Sequence, residues 1–344
     1  MSMEKLQEIK EKVEVELEKY FDEKIAGAQD ATSREAMEFL KDYTMRGGKR
    51  IRVGMLVYGY GCFKQINDEI IRAAMVMELI QSYLLIHDDI MDKDNIRRGK
   101  DSMHVMYERK YNVNDKKHFG MSMAICVGDL ASALANEVIL DSNFENKDEV
   151  VNVMSRILEK VCEGQMLDIV YGSKNADEVS EEDVMLINRM KTATYTVEGP
   201  LHLGALLAGV NDERLDFLLN YGVVLGKAFQ VRNDINDIFL SDKIGKDIGS
   251  DLKEGKRTLL IVKTLENCSD EEKKFVLDKL GTDLDMEDLE KFRDIIKRNA
   301  LSYCEDYCKK SAEESRNIIK DLDLNSEGKE FLLNITDFVA TKSY

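Results

Sequence analysis

The sequence predicts an all-α protein, and three observations indicate it. Only one proline, Pro200, occurs among 344 residues, against a usual share of about 5%. Apolar residues recur at three- and four-residue spacing over long stretches, as in "VVNVMSRILEKVCEGQMLDIVYG", which is typical of α-helices. The alternation of β-branched residues that marks strands is scarce. Because no Ser-, Gly- or Pro-rich linker interrupts the composition, we expect a single helical domain over residues 1–344.

The helices can be followed from the start of the chain. The opening "MSMEKLQEIKEKVEVELEKYF" is charged and amphipathic and lacks the apolar segment of a signal peptide, so it predicts an ordinary first helix. The apolar stretch "IIRAAMVMELIQSYLLIH" predicts a core helix. "SEEDV", which follows a polar loop, predicts a helix N-cap with an acidic first turn. Helical spacing continues over the last 80 or so residues.

Charge and cysteine usage exclude several kinds of partner. The net charge is −17, and such a surface repels nucleic acid and anionic lipid. The six cysteines are scattered, which favours free thiols in a reducing cytoplasm over a zinc site at "CEDYC". No apolar run is long enough to predict a membrane span. We therefore expect a cytoplasmic protein that binds any anionic substrate through a local cationic patch or a metal.

The first motif with chemical meaning is "HDDIMDKDNIRRG". Asp88 and Asp92 are four residues apart at the end of the predicted core helix, so they share one of its faces. Two neighbouring carboxylates repel each other, which predicts a cation between them. Oxygen ligands without His or Cys suit Mg²⁺, with Mn²⁺ as the alternative. A solvated acidic helix end is the simpler interpretation, but the apolar run that leads directly into the motif argues against it.

Two basic segments supply candidate phosphate ligands. "RGGKRIR" gathers Lys49, Arg50 and Arg52 behind two glycines, a pattern that suits a phosphate loop and also occurs in ordinary surface loops. The Arg97-Arg98-Gly99 turn adds guanidinium donors beyond the acidic motif.

Three later segments repeat or extend these features. "KTATYT" places Lys191 beside Thr192 in a helix that we expect to be loosened by threonines and to end before Pro200. "FQVRNDINDIF" repeats the acidic spacing with Asn233 and Asp237. "GKDIGSDLKEGK" combines glycines with lysines, which suits a mobile lid over phosphate or, more simply, a surface loop of mixed charge.

In this order, the motifs resemble those of the trans-isoprenyl diphosphate synthases, also called the polyprenyl synthetase family. The resemblance covers roughly Gly47 to Leu260, and it rests on "GGKRIR", "HDDIMD…RRG", "GQMLD", "KTATYT", "FQVRNDIND" and "GKDIGSDLKEGK". It implies the isoprenoid synthase fold, with antiparallel helices around a central cavity, in a homodimer. It also implies joining of isopentenyl diphosphate to an allylic diphosphate, with up to three Mg²⁺ ions that stabilise the departing pyrophosphate.

The resemblance assigns roles residue by residue. It implies metal binding by Asp88, Asp92, Asn233 and Asp237. It implies that the allylic diphosphate is bound by Arg97, Lys246 and Lys256, and isopentenyl diphosphate by Gly48, Lys49, Arg52, Gln81 and Arg98. The candidate catalytic residues, which would flank the carbocation, are Lys191, Thr192 and Gln230.

Product length is expected to depend on residues about one turn before Asp88, namely Tyr83 and Leu84. A single aromatic residue at the first of these positions is similar to the pattern in family members that stop near C20. Aromatic residues at both positions are similar to the pattern in members that stop at C15. The sequence therefore favours geranylgeranyl diphosphate, with farnesyl diphosphate next.

The chain departs from the family pattern at Asn233, where the usual motif "DDxxD" has its first aspartate, and at Val53, where a proline often stands. Three alternatives follow from this. The first is an impaired or regulatory subunit of a heteromeric synthase, since Asn233 supplies one carboxylate fewer. The second is a class I terpene cyclase, against which Lys49, Arg52, Arg98 and Asp237 argue. The third, a helical scaffold without a site, does not account for the ordered motifs.

Overall fold

The computed structural model describes residues 2–240 and 249–341. The described part of the chain is helical except for loops and one two-stranded hairpin, which confirms the prediction of an all-α protein. The chain divides into two compact units, one of Met1–Asn152 with Leu203–Gly209 and the other of Val153–His202 with Val210–Tyr344. That residues 1–344 fold as a single domain stays a prediction.

Among its described residues, the first unit contains seven complete helices and the hairpin. They are α1 (Ser2–Gly27), α2 (Ala31–Met45), α3 (Ile51–Gly61), α4 (Asp68–Ala73), α5 (Met75–Met91), β1 (Ile96–Arg97), β2 (Lys100–Asp101), α6 (Met103–Lys110) and α7 (Lys116–Leu140). Helix α5 packs along α7, and α3 and α2 also contact it. The buried side chains of α5, from Met75 to Ile80, form part of the core of this unit, as the apolar sequence predicts.

The second unit holds most of α8 (Lys147–Gly172), which begins in the first unit. It continues with a 3₁₀ turn (Ala176–Glu178), α9 (Glu181–Ile187), a π-helical segment (Asn188–Glu198), α10 (Gly199–Leu207), α11 (Glu213–Leu240), α12 (Ser250–Lys253), α13 (Leu259–Asn267), α14 (Asp270–Lys279), α15 (Met286–Asn299), α16 (Leu301–Lys320) and α17 (Ser326–Thr341). Helix α10 ends among the residues of the first unit. Helix α11 packs against the π-helical segment and α16.

Local sequence explains where several of these helices begin. Ser180 caps α9 with a capping box, in which its hydroxyl accepts from the backbone N–H of Asp183 and the Asp183 carboxylate accepts from the backbone N–H of Ser180. This confirms the N-cap predicted from "SEEDV". Asp30 caps α2 in the same way, by accepting from two backbone N–H groups.

The threonine-rich segment departs from an α-helix more than its sequence indicates. Eleven residues, Asn188–Glu198, are π-helical, whereas most π-helices are single-turn bulges, frequently at functional sites. The prediction that the helix ends before Pro200 is wrong, because α10 continues directly from Gly199 with Pro200 in its first turn. Proline is tolerated there because its missing N–H belongs to the first turn.

Two stretches of the first unit, Asp68–Met91 and Lys116–Leu140, are long and apolar enough to cross a membrane by length and composition alone. Of their most apolar windows, 67% and 44% are buried inside the structure, and buried core helices commonly have this composition.

Candidate active site

The first acidic motif lies at the C-terminal end of α5. Asp88 is in the last turn and Asp92 is the C-cap residue, whose backbone N–H donates to the carbonyl of Asp88 at 2.8 Å. Both side chains are half-buried. A helix C-terminus carries partial negative charge, so two carboxylates at this end favour a bound cation.

Asp89, between the two predicted ligands, has a different environment. It is 0% exposed, and it accepts hydrogen bonds from the Tyr43 hydroxyl at 2.7 Å and from Arg97 Nε at 2.6 Å. Burial raises the pKa of Asp89 to about 6, and the Arg97 guanidinium opposes that rise. Arg97 also contacts Asp94 at 2.8 Å. Two buried or half-buried carboxylates therefore fix the orientation of Arg97.

The glycine-rich loop and the arginine turn contact each other. Arg98 and Gly99 have φ of 55° and 74°, the backbone of a type I′ turn joining β1 to β2. From this turn Arg98 donates to the backbone carbonyl of Gly47. A Cβ at Gly48, where φ is 121°, would lie 3.0 Å from an Arg98 nitrogen. The structure thus brings the two predicted phosphate-binding segments together, and Gly48 leaves room for the guanidinium.

The three cations of the glycine-rich loop differ in their burial and in their partners. Arg52 donates to the Gln81 side-chain oxygen at 3.3 Å, while Lys49 is exposed. Arg50 does not belong with them, because it is buried, pairs with Glu78 and Glu14 and donates to a backbone carbonyl. The expectation that Arg50 adds to an accessible cation cluster is therefore wrong: a buried charge requires a partner of opposite charge, and the two glutamates provide it.

In the second unit, the π-helical segment carries Lys191 and Thr192 to two different helices. Lys191 Nζ lies 2.7 Å from a carboxylate oxygen of Asp168 on α8. Thr192 donates its hydroxyl hydrogen to the Gln230 side-chain oxygen on α11 at 3.0 Å. Asp168 and Gln230 lie close to the segment because glycines of α8 and α11 pack directly against its backbone. A Cβ at Gly164 would lie 2.6 Å from Lys191 N, and one at Gly226 would lie 2.6 Å from Ala193.

The hydrogen-bond chain continues from Gln230 into the second acidic motif. Gln230 Nε2 donates to a carboxylate oxygen of Asp234 at 2.6 Å. Burial raises the pKa of Asp234 well above its ordinary value, and the nearby Asp251 and Asp237 raise it further. Because the Thr192 hydrogen points to Gln230, the lone pairs of the Thr192 oxygen remain able to face a developing positive charge.

The predicted ligands of this motif are not equivalent. Asn233 is half-buried, whereas Asp237 is 6% exposed. Asp237 accepts from the Ser250 hydroxyl at 2.8 Å and from the backbone N–H of Asp251 at 3.1 Å. A carboxylate has about four acceptor sites, so these bonds orient Asp237 without using all of them. Lys256 bridges Glu254 at 2.5 Å and Asp251 at 3.6 Å.

Lys246 lies outside the described residues. Within residues 2–240 and 249–341, no three His, Cys, Asp or Glu side chains are arranged to hold a metal ion by themselves. The pair Asp88 and Asp92 nevertheless fits Mg²⁺, which commonly takes one or two carboxylates and completes its shell with water and phosphate.

Sequence reasoning missed three carboxylates, Asp89, Asp168 and Asp234. Each stands inside a recognised motif, and each contacts a neighbouring side chain that has a predicted role. The signal was present in the doublets "DD" and "ND" and in the end of "GQMLD", since a second carboxylate in a buried motif needs a partner.

The fold and these side chains define an all-helical enzyme whose carboxylates, arginines and lysines suit a metal-bound diphosphate. Residues 34–297 match the polyprenyl synthetase family, and the chain belongs to that family. It is a short-chain prenyl diphosphate synthase, and this family uses divalent metal ions with isopentenyl and allylic diphosphates.

Individual relatives agree with this assignment. The chain is 36% identical over 236 residues to a short chain isoprenyl diphosphate synthase of Methanocaldococcus jannaschii, covering 68% of this chain and 67% of the relative. It is 33% identical to a geranylgeranyl diphosphate synthase of Sulfolobus acidocaldarius, over 66% of each chain. The crystal structure of geranylgeranyl pyrophosphate synthase from Corynebacterium glutamicum, complexed with isoprenyl diphosphate and magnesium, superposes with a TM-score of 0.91 at 30% identity, over 97% of this chain and 99% of that one.

Proposed function

We propose that this chain joins isopentenyl diphosphate to an allylic diphosphate and makes an all-trans C20 diphosphate, with C15 as the next candidate. One observation carries the proposal. In the unit that holds Asp88 and Asp92, Arg98 reaches the backbone of the glycine-rich loop. A second phosphate-binding region beside the acidic motif is what a condensation requires, because two diphosphates must be bound, whereas a cyclase binds one.

The first diphosphate region uses the acidic end of α5. We assign Asp88 and Asp92 to Mg²⁺, with Mn²⁺ as a substitute, and Arg97 to the allylic diphosphate. Asn233 and Asp237 are the proposed ligands of the remaining ions, up to three in all. The bound metal supplies positive charge where the pyrophosphate leaves. Asp89 holds the Arg97 guanidinium in place, so its donors are oriented before the substrate arrives.

The second diphosphate region binds isopentenyl diphosphate. We assign to it Gly48, Lys49, Arg52, Gln81 and Arg98. Gly47 and Gly48 both have positive φ, a conformation in which successive backbone N–H groups can bind an anion, and the arginine side chains provide bidentate donors. Gln81 accepts from Arg52, which fixes the direction of that guanidinium.

The reacting carbons face Lys191, Thr192 and Gln230. Thr192 presents oxygen lone pairs to the carbocation, and Gln230 keeps its hydroxyl hydrogen turned away. Asp168 holds the Lys191 ammonium at 2.7 Å, so a fixed positive charge stands ready for the departing diphosphate. Lys256 and Lys246 are the proposed lid lysines. The released pyrophosphate takes the final proton.

Product length would depend on Tyr83 and Leu84. Both are half-buried on α5, five and four residues before Asp88. At about 100° per residue, Leu84 lies about 40° from Asp88 around the helix and Tyr83 about 140°. Tyr83 packs against His87, which in turn lies against Gly128 of α7, and we propose that the bulk of Tyr83 favours termination near C20.

We further infer a cytoplasmic homodimer. Helix α7 is strongly apolar, yet Met121, Ile125 and Leu140 are 36%, 45% and 42% exposed. Met121 and Ile125 are neighbours one helical turn apart, and adjacent exposed apolar side chains favour a protein partner; a second copy of this chain fits the family.

The test is incubation of purified protein with isopentenyl diphosphate, Mg²⁺ and dimethylallyl, geranyl or farnesyl diphosphate in turn, followed by mass spectrometry of the products. The proposal predicts linear C20 diphosphate. A cyclic hydrocarbon would identify a cyclase instead, and product formed only with a partner chain would identify a subunit of a heteromeric synthase.

A further inference from the structure

A histidine directly before the acidic motif lies in a notch on α7. A Cβ at Gly128 would lie 2.7 Å from His87 Cε1 and 2.8 Å from His87 Nε2, closer than carbon and nitrogen atoms pack. A larger residue at position 128 would therefore displace the imidazole from this position. Its Nε2 is 3.3 Å from the backbone oxygen of Ile125 and 3.8 Å from an Asp129 carboxylate oxygen.

The same imidazole contacts Tyr83. The two rings, one helical turn apart on α5, pack edge to face with centroids 5.0 Å apart at an interplanar angle of 88°. The His87 ring thus contacts both the Gly128 backbone of α7 and the Tyr83 ring. A tyrosine ring turns about only two side-chain torsions, so the surface that it leans on largely decides where it points.

We propose that His87, seated on Gly128, is a specificity-determining residue that fixes the Tyr83 ring and thereby limits prenyl chain growth. The inference rests on the proposed function, in which Tyr83 restricts product length. It adds two positions that act through Tyr83, and His87 has no part in the proposed binding of either diphosphate.

The contact predicts opposite effects from two substitutions. His87→Ala removes the support, so the Tyr83 ring can fold into the space beside Gly128, and the main product lengthens by at least one C5 unit. Gly128→Ala pushes the imidazole towards Tyr83 and shortens the main product by one C5 unit or enriches the shorter product several-fold. His87→Phe keeps a ring beneath Tyr83 and should retain the original product.

The experiment sizes products of the full-length chain by mass spectrometry, with Tyr83→Ala in the same series. The double variant His87→Ala with Gly128→Ala is included because it removes the steric conflict between the added methyl group and the imidazole. It should lengthen the products whether or not Gly128→Ala alone folds.

Longer products from Tyr83→Ala, with unchanged products from the His87 and Gly128 variants, overturn this inference and leave the proposed function intact. Unchanged products from Tyr83→Ala overturn both the inference and the proposed role of Tyr83. Shifts in the same direction at His87 and Gly128 also overturn it, because general loosening, and not the ring contact, would then be the cause.

Discussion

Replacing Gly226 with alanine should slow the chemical step about 100-fold while leaving the fold and substrate binding largely intact. A Cβ at this position on α11 would lie 2.6 Å from both Cα and Cβ of Ala193, whereas carbon atoms pack at about 3.5–4.0 Å. The π-helical backbone next to Thr192 must therefore retreat by about 1 Å. That movement separates Thr192 from Gln230, which are 3.0 Å apart in the structure.

The size of the effect follows from two magnitudes. Overpacking of this kind costs about 1–3 kcal/mol, less than the roughly 5–15 kcal/mol that stabilises a folded protein. A displacement of about 1 Å at a reacting centre costs about 100-fold in rate. We therefore expect kcat to fall about 100-fold, while the KM values for both diphosphates change little, because most residues assigned to them belong to the first unit.

The assay is steady-state kinetics with both substrates varied, together with circular dichroism and thermal unfolding. Gly172→Ala is the matched control, since this glycine also lies in a helix of the second unit but has nothing within 4 Å of the added Cβ. A folded Gly226→Ala enzyme with kcat within about twofold of wild type would show that Gly226 does not position Thr192 for the chemical step. A raised KM with unchanged kcat would show the same.

Three further predictions concern single side chains. Asp168→Asn should lower kcat by about 10- to 100-fold, because the Lys191 ammonium loses a charged partner worth about 1.5–3 kcal/mol; an unchanged kcat in the same assay would exclude the positioning role. Asn233→Asp should lower the Mg²⁺ concentration for half-maximal rate by about tenfold, the effect of roughly 1.4 kcal/mol from the added charge; a titration with an unchanged midpoint would show that Asn233 is no handicap. If the proposed homodimer forms through α7, Ile125→Glu should convert it to a monomer in light scattering, because the substitution places a charge on the proposed apolar interface; a dimer that persists would place the interface elsewhere.

Periodicity predicts most of the fold because each helix buries one face. The apolar run before Asp88 becomes the buried helix α5, and "SEEDV" becomes a capped helix start. The π-helical segment could not be predicted in this way, since its closest backbone contacts are with other helices. Gly164 of α8 and Gly226 of α11 lie against its backbone, and periodicity along one segment does not report such contacts.

The candidate site, like the fold, could be predicted only in part from the sequence. Motif spacing placed Lys191 and Thr192 correctly in one segment, but their partners Asp168 and Gln230 come from separate helices. Spacing also groups Arg50 with Lys49 and Arg52 as a candidate phosphate ligand. Arg50 adopts φ of 52° and turns inward to the buried Glu78 and the half-buried Glu14, a contact that requires the tertiary structure.

The most direct measurement of the central claim is pyrophosphate release from purified protein with Mg²⁺ and an allylic diphosphate, with and without isopentenyl diphosphate. A condensing synthase that binds two diphosphates is predicted to release pyrophosphate rapidly only when both are present, in one-to-one ratio with the isopentenyl units found in the product. Rapid release from the allylic diphosphate alone would contradict the account, because it would mean that the region around Gly47 and Arg98 does not bind a second substrate for the reaction.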